Sequence, residues 1–193
     1  MAVDALLTAA ERLFAERGAD VSLRDIAIAG GQRNNSAVHY HFGDRRGLID
    51  AIVRRRLTSV ESCAARLLTA AEVRDTHTLT GILVRALVEA TEQQGATHYF
   101  RFLEVMRGQV KIWPSEEGSA WSTITQSLAE QLRDGTEYER ASRISSMATT
   151  LFALLADYER SQEAVGVLES LGPTPGQIVD MVVALLQAPM QPR

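Results

Sequence analysis

The sequence predicts an all-α chain of about nine helices, and three observations carry that expectation. Pro numbers only 5 and Gly 13 in 193 residues, while Ala, Leu, Glu and Arg are common, a balance that favours helix. Apolar residues recur at three- and four-residue spacing along most of the chain. Capping residues and glycines bracket those runs. With 46% hydrophobic residues the chain can build a packed core.

The first helix is written in LLTAAERLFAERG. Leu6, Ala10, Leu13 and Phe14 form one stripe, with Glu11, Arg12, Glu16 and Arg17 outside it. Gly18 ends it, because a glycine after the last turn accepts left-handed angles. Ser22-Leu23-Arg24-Asp25 starts the second helix as a near capping box, with Leu23, Ile26 and Ala27 inward, and Gly30-Gly31 stops it. A third short helix runs from Asn34 or Asn35 to about His41, with Ala37 and Val38 inward and Phe42 just past its end. Gly43 breaks it, and Asp44 caps a long fourth helix carrying Leu48, Ile49, Ile52, Val53, Leu57 and Val60. Short helices joined by a tight glycine turn, then a long one, make a helix-turn-helix arrangement.

Helical periods continue to the end. Residues 78–94 place Leu79, Ile82, Leu83, Ala86, Leu87 and Ala90 on one face. Residues 98–113 form an aromatic-rich helix, Pro114 punctuates, and Ser115 is the expected N-cap of the next. Trp121, Ile124, Leu128 and Leu132 mark that helix, which ends near Gly135. Ala141, Ile144, Ala148, Leu151, Leu155 and Tyr158 alternate by 3 and 4, a coiled-coil-like seam. Thr174-Pro175-Gly176-Gln177 is a capping box with Pro at the first helical position, opening a last helix with Ile178, Val179, Val182, Val183, Leu185 and Leu186. Two domains are expected, 1–46 and 47–193.

Several function classes are disfavoured. One cysteine, Cys63, allows neither an intramolecular disulfide nor a zinc cluster. No charged-then-apolar leader opens the sequence, and MVVALL at 181–186 is too short to span a bilayer, so a soluble cytoplasmic protein without membrane contact is expected. There is no nucleophile elbow, Walker loop, HExxH or dinucleotide glycine motif, and His77 and His98 stand alone. No catalytic residue, cofactor or metal is expected. His39 and His41 are two apart, diverging by roughly 200° on a helix, with no further ligand at metal spacing.

Charge is unevenly placed. The net charge is −4, yet residues 1–60 hold 9 Arg against 7 acidic residues, and Arg24 to Arg56 spans 7 Arg against 3 Asp. A basic N-terminal segment on an acidic body is an electrostatic footprint for nucleic acid, although a solvated helix face gives the same count. GGQRNNSAVHYHFGDRR, at 30–46, sharpens it. Asn and Gln bond adenine bidentately and Arg guanine, while Ser, Tyr and His bond phosphate oxygens. Candidate contacts to double-stranded DNA are Ser22, Arg24, Gln32, Arg33, Asn34, Asn35, Ser36, His39, Tyr40 and Arg45. The local alternative is that the asparagines only cap, the glycines only turn, and His41 bonds a backbone carbonyl.

LLTAAERLFAERGADVSLRDIA followed by AVHYHFGDRRGLIDAI resembles the TetR family of bacterial one-component transcriptional regulators, over about residues 5–53. The resemblance implies a DNA-binding regulator, a repressor released by a small apolar or amphipathic effector, that pairs through its last two helices on a palindromic operator. By the same resemblance Ser22 matches the Ser or Thr that starts the second helix. Arg45 falls on a position commonly Lys that touches phosphate, Ser36 on the usual Gly, and His39 on the usual Tyr. The turn here is about one residue longer than the family's, and QRNN replaces its short hydrophobic-serine turn.

The body offers two further expectations. Ile144, Leu151, Leu155, Tyr158, Ile178, Val182 and Leu185 form apolar faces that suit a homodimer's four-helix bundle, the alternative being that both faces pack on their own chain. Tyr99, Phe100, Leu103, Met106, Arg107, Trp113, Trp121, Ile124 and Thr150 are candidates for an effector pocket, with Glu89 and Gln93 as further polar groups, the alternative being ordinary core. The competing functional reading is a helical ligand-binding or adaptor protein that does not use its helix-turn-helix on DNA.

Overall fold

A computed structural model describes residues 2–93, 95, 98–107, 118–163 and 172–189. Among them are nine helices: α1 (Ala2–Arg17), α2 (Leu23–Ala29), α3 (Ser36–Phe42), α4 (Arg45–Ala70), α5 (Thr76–Gln93), α6 (Tyr99–Met106), α7 (Ala120–Gln131), α8 (Glu137–Glu163) and α9 (Pro175–Gln187). None of them is long and apolar enough to cross a membrane.

The helix ends follow from local chemistry. Gly18 closes α1 at φ +89°, in the left-handed region a glycine enters without strain. The Ser22 hydroxyl accepts from the Asp25 N–H, and the Asp44 carboxylate accepts from the Gly47 N–H. Thr174 and Gln177 form the expected capping box at α9. The N-cap of α7 is Ser119, whereas Ser115 lies outside the described residues. Glu61 of α4 reinforces that end, accepting from the Ala120 N–H at 2.8 Å.

Helices α1 and α3 pack on α4, and α2 packs on α1 and α3. Leu6, Leu13 and Phe14 of α1, Ile26 of α2 and Val38 of α3 are buried with Leu48, Ile49 and Ile52. The second half of α4 packs on α5 and α7. Helix α8 lies on α6, and α9 bridges α5 and α8. Apolar packing is continuous from Leu6 to Leu186, because α1 also packs on α6. Phe14 and Phe102 meet there, ring centroids 6.0 Å apart.

That α1–α6 contact corrects one expectation. Glu11 is buried, not outside the apolar stripe. It pairs with the equally buried Arg56 of α4, whose guanidinium donates from Nε at 3.1 Å and from Nη2 at 3.0 Å. Burial raises the Glu11 carboxyl above its usual range, against the pull of Arg56. The Arg56 guanidinium lies over the Tyr99 ring of α6, 5.9 Å from its centroid. One buried ion pair therefore ties α1, α4 and α6 together.

Candidate nucleic-acid interface

Helix α3 is held by one buried residue, Val38, with Ala37 and Phe42 partly covered. The remaining side chains point away from the core. Arg33, Asn34, Ser36, His39 and Tyr40 are exposed, Tyr40 by 84%, while Gln32 and Asn35 are half-buried. Ser22, Arg24 and Arg46 are exposed on the flanks. Apart from Arg45, the polar residues expected at an interface are thus exposed or half-buried on α2, α3 and the turn between them.

Local bonds fix their geometry. Asn34 Oδ1 accepts from the Ser36 N–H at 3.0 Å, forming an Asx turn that leads into α3. His39 Nδ1 is 2.8 Å from the Gly43 carbonyl, which can only accept, so Nδ1 carries the proton. In the neutral ring Nε2 then accepts from Asn35 Nδ2, at 3.4 Å. His39 bridges the two ends of α3, and it orients the Asn35 amide. Tyr40 stacks edge-on against His41, with ring centroids 4.9 Å apart.

Arg45 is placed differently from the expectation. Its guanidinium turns inward, donating from Nη1 to the Ala19 carbonyl and from Nη2 to the Val21 carbonyl, each at 2.5 Å. It also lies over the Phe14 ring, 5.6 Å from the centroid. The loop between α1 and α2 leaves those carbonyls without helix partners, and Arg45 supplies the donors. The cation left outward in the first turn of α4 is Arg46. Gly47 is a residue the sequence reading passed over. A Cβ there would lie 2.0 Å from the Phe42 carbonyl oxygen, so only glycine lets α3 approach α4 this closely.

His77 and His98 do not stand alone. His77 Nε2 is 3.4 Å from Asp180 of α9. His98 Nε2 lies 3.5 Å from Glu16 of α1 and 3.6 Å from Glu163 of α8. Beside it the buried Glu159 accepts from the Phe100 and Arg101 N–H groups, at 3.2 and 3.0 Å, and from Arg101 Nε. No group of three or more His, Cys, Asp or Glu among the described residues could hold a metal ion.

The expected pocket residues Tyr99, Phe100, Leu103, Met106, Trp121 and Ile124 are buried in the core. Arg107 is exposed, Thr150 is half-buried with its hydroxyl on the Ser146 carbonyl, and Trp113 lies outside the described residues. Glu89 is engaged by Arg66 and Arg85. Phe100 also lines a cavity of about 320 Å3 between α5, α6 and α8.

The expected dimer residues divide. Leu151, Leu155, Ile178 and Val182 are fully buried within their own chain, which corrects their assignment to contacts between chains. Their faces close α8 and α9 on α5 and α6. Ile144, Tyr158 and Leu185 retain partial exposure, and Met181 is 42% exposed.

The model of the bacterial regulatory proteins of the tetR family matches residues 6–52, which span α1 to the first third of α4. Residues 6–52 are similar to the N-terminal region of the tetR-family regulatory proteins. The match covers the part of the chain that presents the polar face of α3. Among solved structures it is similar to NalD, the secondary repressor of the MexAB-OprM multidrug efflux pump in Pseudomonas aeruginosa, at 19% identity over 96% of this chain and 93% of that one, with a TM-score of 0.53. A TetR-family regulator from Streptomyces coelicolor matches at 22% identity over 97% and 95% of the two chains, with a TM-score of 0.46. LfrR from Mycobacterium smegmatis, solved with proflavine, matches at 18% identity over 100% and 98%, with a TM-score of 0.46. No curated protein sequence matches the chain. The likeness to NalD extends the TetR-like fold through the C-terminal helices.

Proposed function

We propose that this protein is a TetR-family repressor that works as a homodimer on a palindromic operator and is released by a small apolar or amphipathic effector. The observation that supports it best is the outward polar face of α3. Asn34, Asn35, Ser36, His39 and Tyr40 stand clear of the core while Val38 anchors the helix beneath them. In this reading α3 enters the major groove, where amides and hydroxyls meet base edges. Gln32 and Arg33 flank it, and Ser22, Arg24 and Arg46 meet phosphates.

Release requires the effector-binding body to move α1–α3. Helix α4 runs through both parts of the core, and the Glu11–Arg56 pair and the Glu16–His98 contact connect α1 to the body. A coupling of about 1–3 kcal/mol suffices for a 5- to 150-fold change in operator affinity.

The deciding experiment is selection of bound DNA from a random pool. The expected result is a palindrome whose half-sites are about 34–36 Å apart or at a related spacing. Asn35→Ala then shifts base preference at one position of each half-site. Recovery of no sequence would favour the adaptor reading, and a uniform loss with Asn35→Ala would remove that residue from base recognition.

A further inference from the structure

We propose that the cavity between α5, α6 and α8 binds an organic monocation, an apolar or aromatic body carrying one protonated amine. Its volume of about 320 Å3 is at the small end of the range for ligand sites. The Phe100 ring and the Tyr158 ring supply apolar and aromatic wall, and Gly95 leaves one side open of any side chain. Among the described lining residues, the charged side chains are all acidic: Glu92, Glu159 and Glu163. Glu159 is the buried one, already held by the Phe100 and Arg101 N–H groups and paired with the Arg101 guanidinium. Glu92 accepts from the Tyr158 hydroxyl at 3.3 Å, a neutral donor that leaves its negative charge uncompensated. Glu163 meets Arg101 Nη2 at 2.7 Å.

With Glu159 and Glu163 paired to Arg101, Glu92 supplies the charge that favours a cation over an anion or a neutral ligand. The three carboxylates do not converge closely enough to share a metal ion. An ammonium group near Glu92 and Glu163, with its body against Phe100 and Tyr158, satisfies both the charge and the aromatic faces. The site is wired to α1. Glu163 shares His98 with Glu16, so a cation that draws Glu163 into the cavity loosens the contact between α8 and α1. This last step rests on the repressor reading; the binding itself does not.

The test is calorimetric titration of the full chain with three indoles of matched shape: tryptamine, its neutral alcohol tryptophol, and the anion indole-3-propionate. Tryptamine is expected to bind tightest. Glu92→Gln and Glu163→Gln are each expected to weaken it by about three- to tenfold. Glu137→Gln, at the opposite end of α8, controls for net charge and leaves it unchanged. Equal binding of amine and alcohol, no binding of tryptamine at millimolar concentration, or affinity indifferent to both lining variants overturns the proposal. The titration contains no DNA. A chain that selects an operator but shows no amine preference therefore loses this site and keeps the repressor reading, and the opposite pair of results does the reverse.

Discussion

Arg45 and Arg46 are neighbours in sequence with opposite fates. Arg45 spends both guanidinium nitrogens on the Ala19 and Val21 carbonyls, and its flat face covers Phe14. Arg46 stays in solvent. Arg45→Ala is expected to lower stability by about 2 kcal/mol in urea unfolding, since it strips two charged donors from otherwise unpaired carbonyls. Arg46→Ala is expected to leave stability within about 0.5 kcal/mol and to reduce the salt slope of DNA binding by about one. If the slope falls with Arg45→Ala and not with Arg46→Ala, the phosphate role belongs to the inward arginine after all. The difference between the two could not be read from sequence. Both positions are compatible with the first turn of α4, and what separates them is a loop more than twenty residues earlier that needs donors.

Buried charge decides how the elements hold one another. Glu11 lies four residues after Leu7 and three before Phe14, so it sits within the apolar arc of α1. Arg56 follows Ile52 by four and precedes Val60 by four. Each is a charge at a core position, yet Glu11 reads as outside the stripe in the sequence, because a carboxylate belongs in a core only with a partner, and that partner lies 45 residues away. The same contrast holds for caps. Ser22, Asp44 and Thr174 were legible because each meets a backbone group three residues on. Glu61 at the start of α7 was not, because its partner lies 59 residues away. Removing one member of the Glu11–Arg56 pair strands a buried charge. Arg56→Met alone is expected to cost about 3–5 kcal/mol, whereas Glu11→Leu with Arg56→Met recovers most of that loss. Urea midpoints of the two variants check it, and equal losses would show that packing, not the unpaired carboxylate, sets the cost. Glu159 gives a pH test. Burial raises its carboxyl above the usual range, although the Phe100 and Arg101 N–H groups and the Arg101 guanidinium favour the charged form. A carboxyl raised on folding contributes stability that is complete below its unfolded value and lost as pH rises through its folded one. Relative to Glu159→Gln, the unaltered protein should therefore lose stability as pH rises from about 4 toward neutrality. A constant difference between the two across that range would remove Glu159 as the source.

At the scale of the whole molecule, the question is what surface remains for a second copy. The seam read from 141–158 is real as a helix face, but Leu151 and Leu155 are already covered by the chain's own helices. A heptad pattern states that a face is apolar, and not whose face covers it. The outward surface of α8 and α9 holds Ala141, Thr149, Met181 and Ala184, with Ile144, Tyr158 and Leu185 at its edges. Small residues there let two helix backbones approach closely, and Met181 adapts to whatever faces it. If the protein pairs through α8 and α9, Met181→Arg places two like charges near a two-fold axis and should convert the dimer to monomer, with its helical content intact by circular dichroism. Leu155→Ala should act the other way, costing about 2–5 kcal/mol of stability because it opens a cavity inside one subunit. Sedimentation equilibrium separates the two. A dimer that survives Met181→Arg and dissociates with Leu155→Ala before any loss of helix would mean that the inner seam does reach the partner. Operator binding should follow the assembly, since two α3 helices can meet successive half-sites only when the pairing of α8 and α9 fixes their separation.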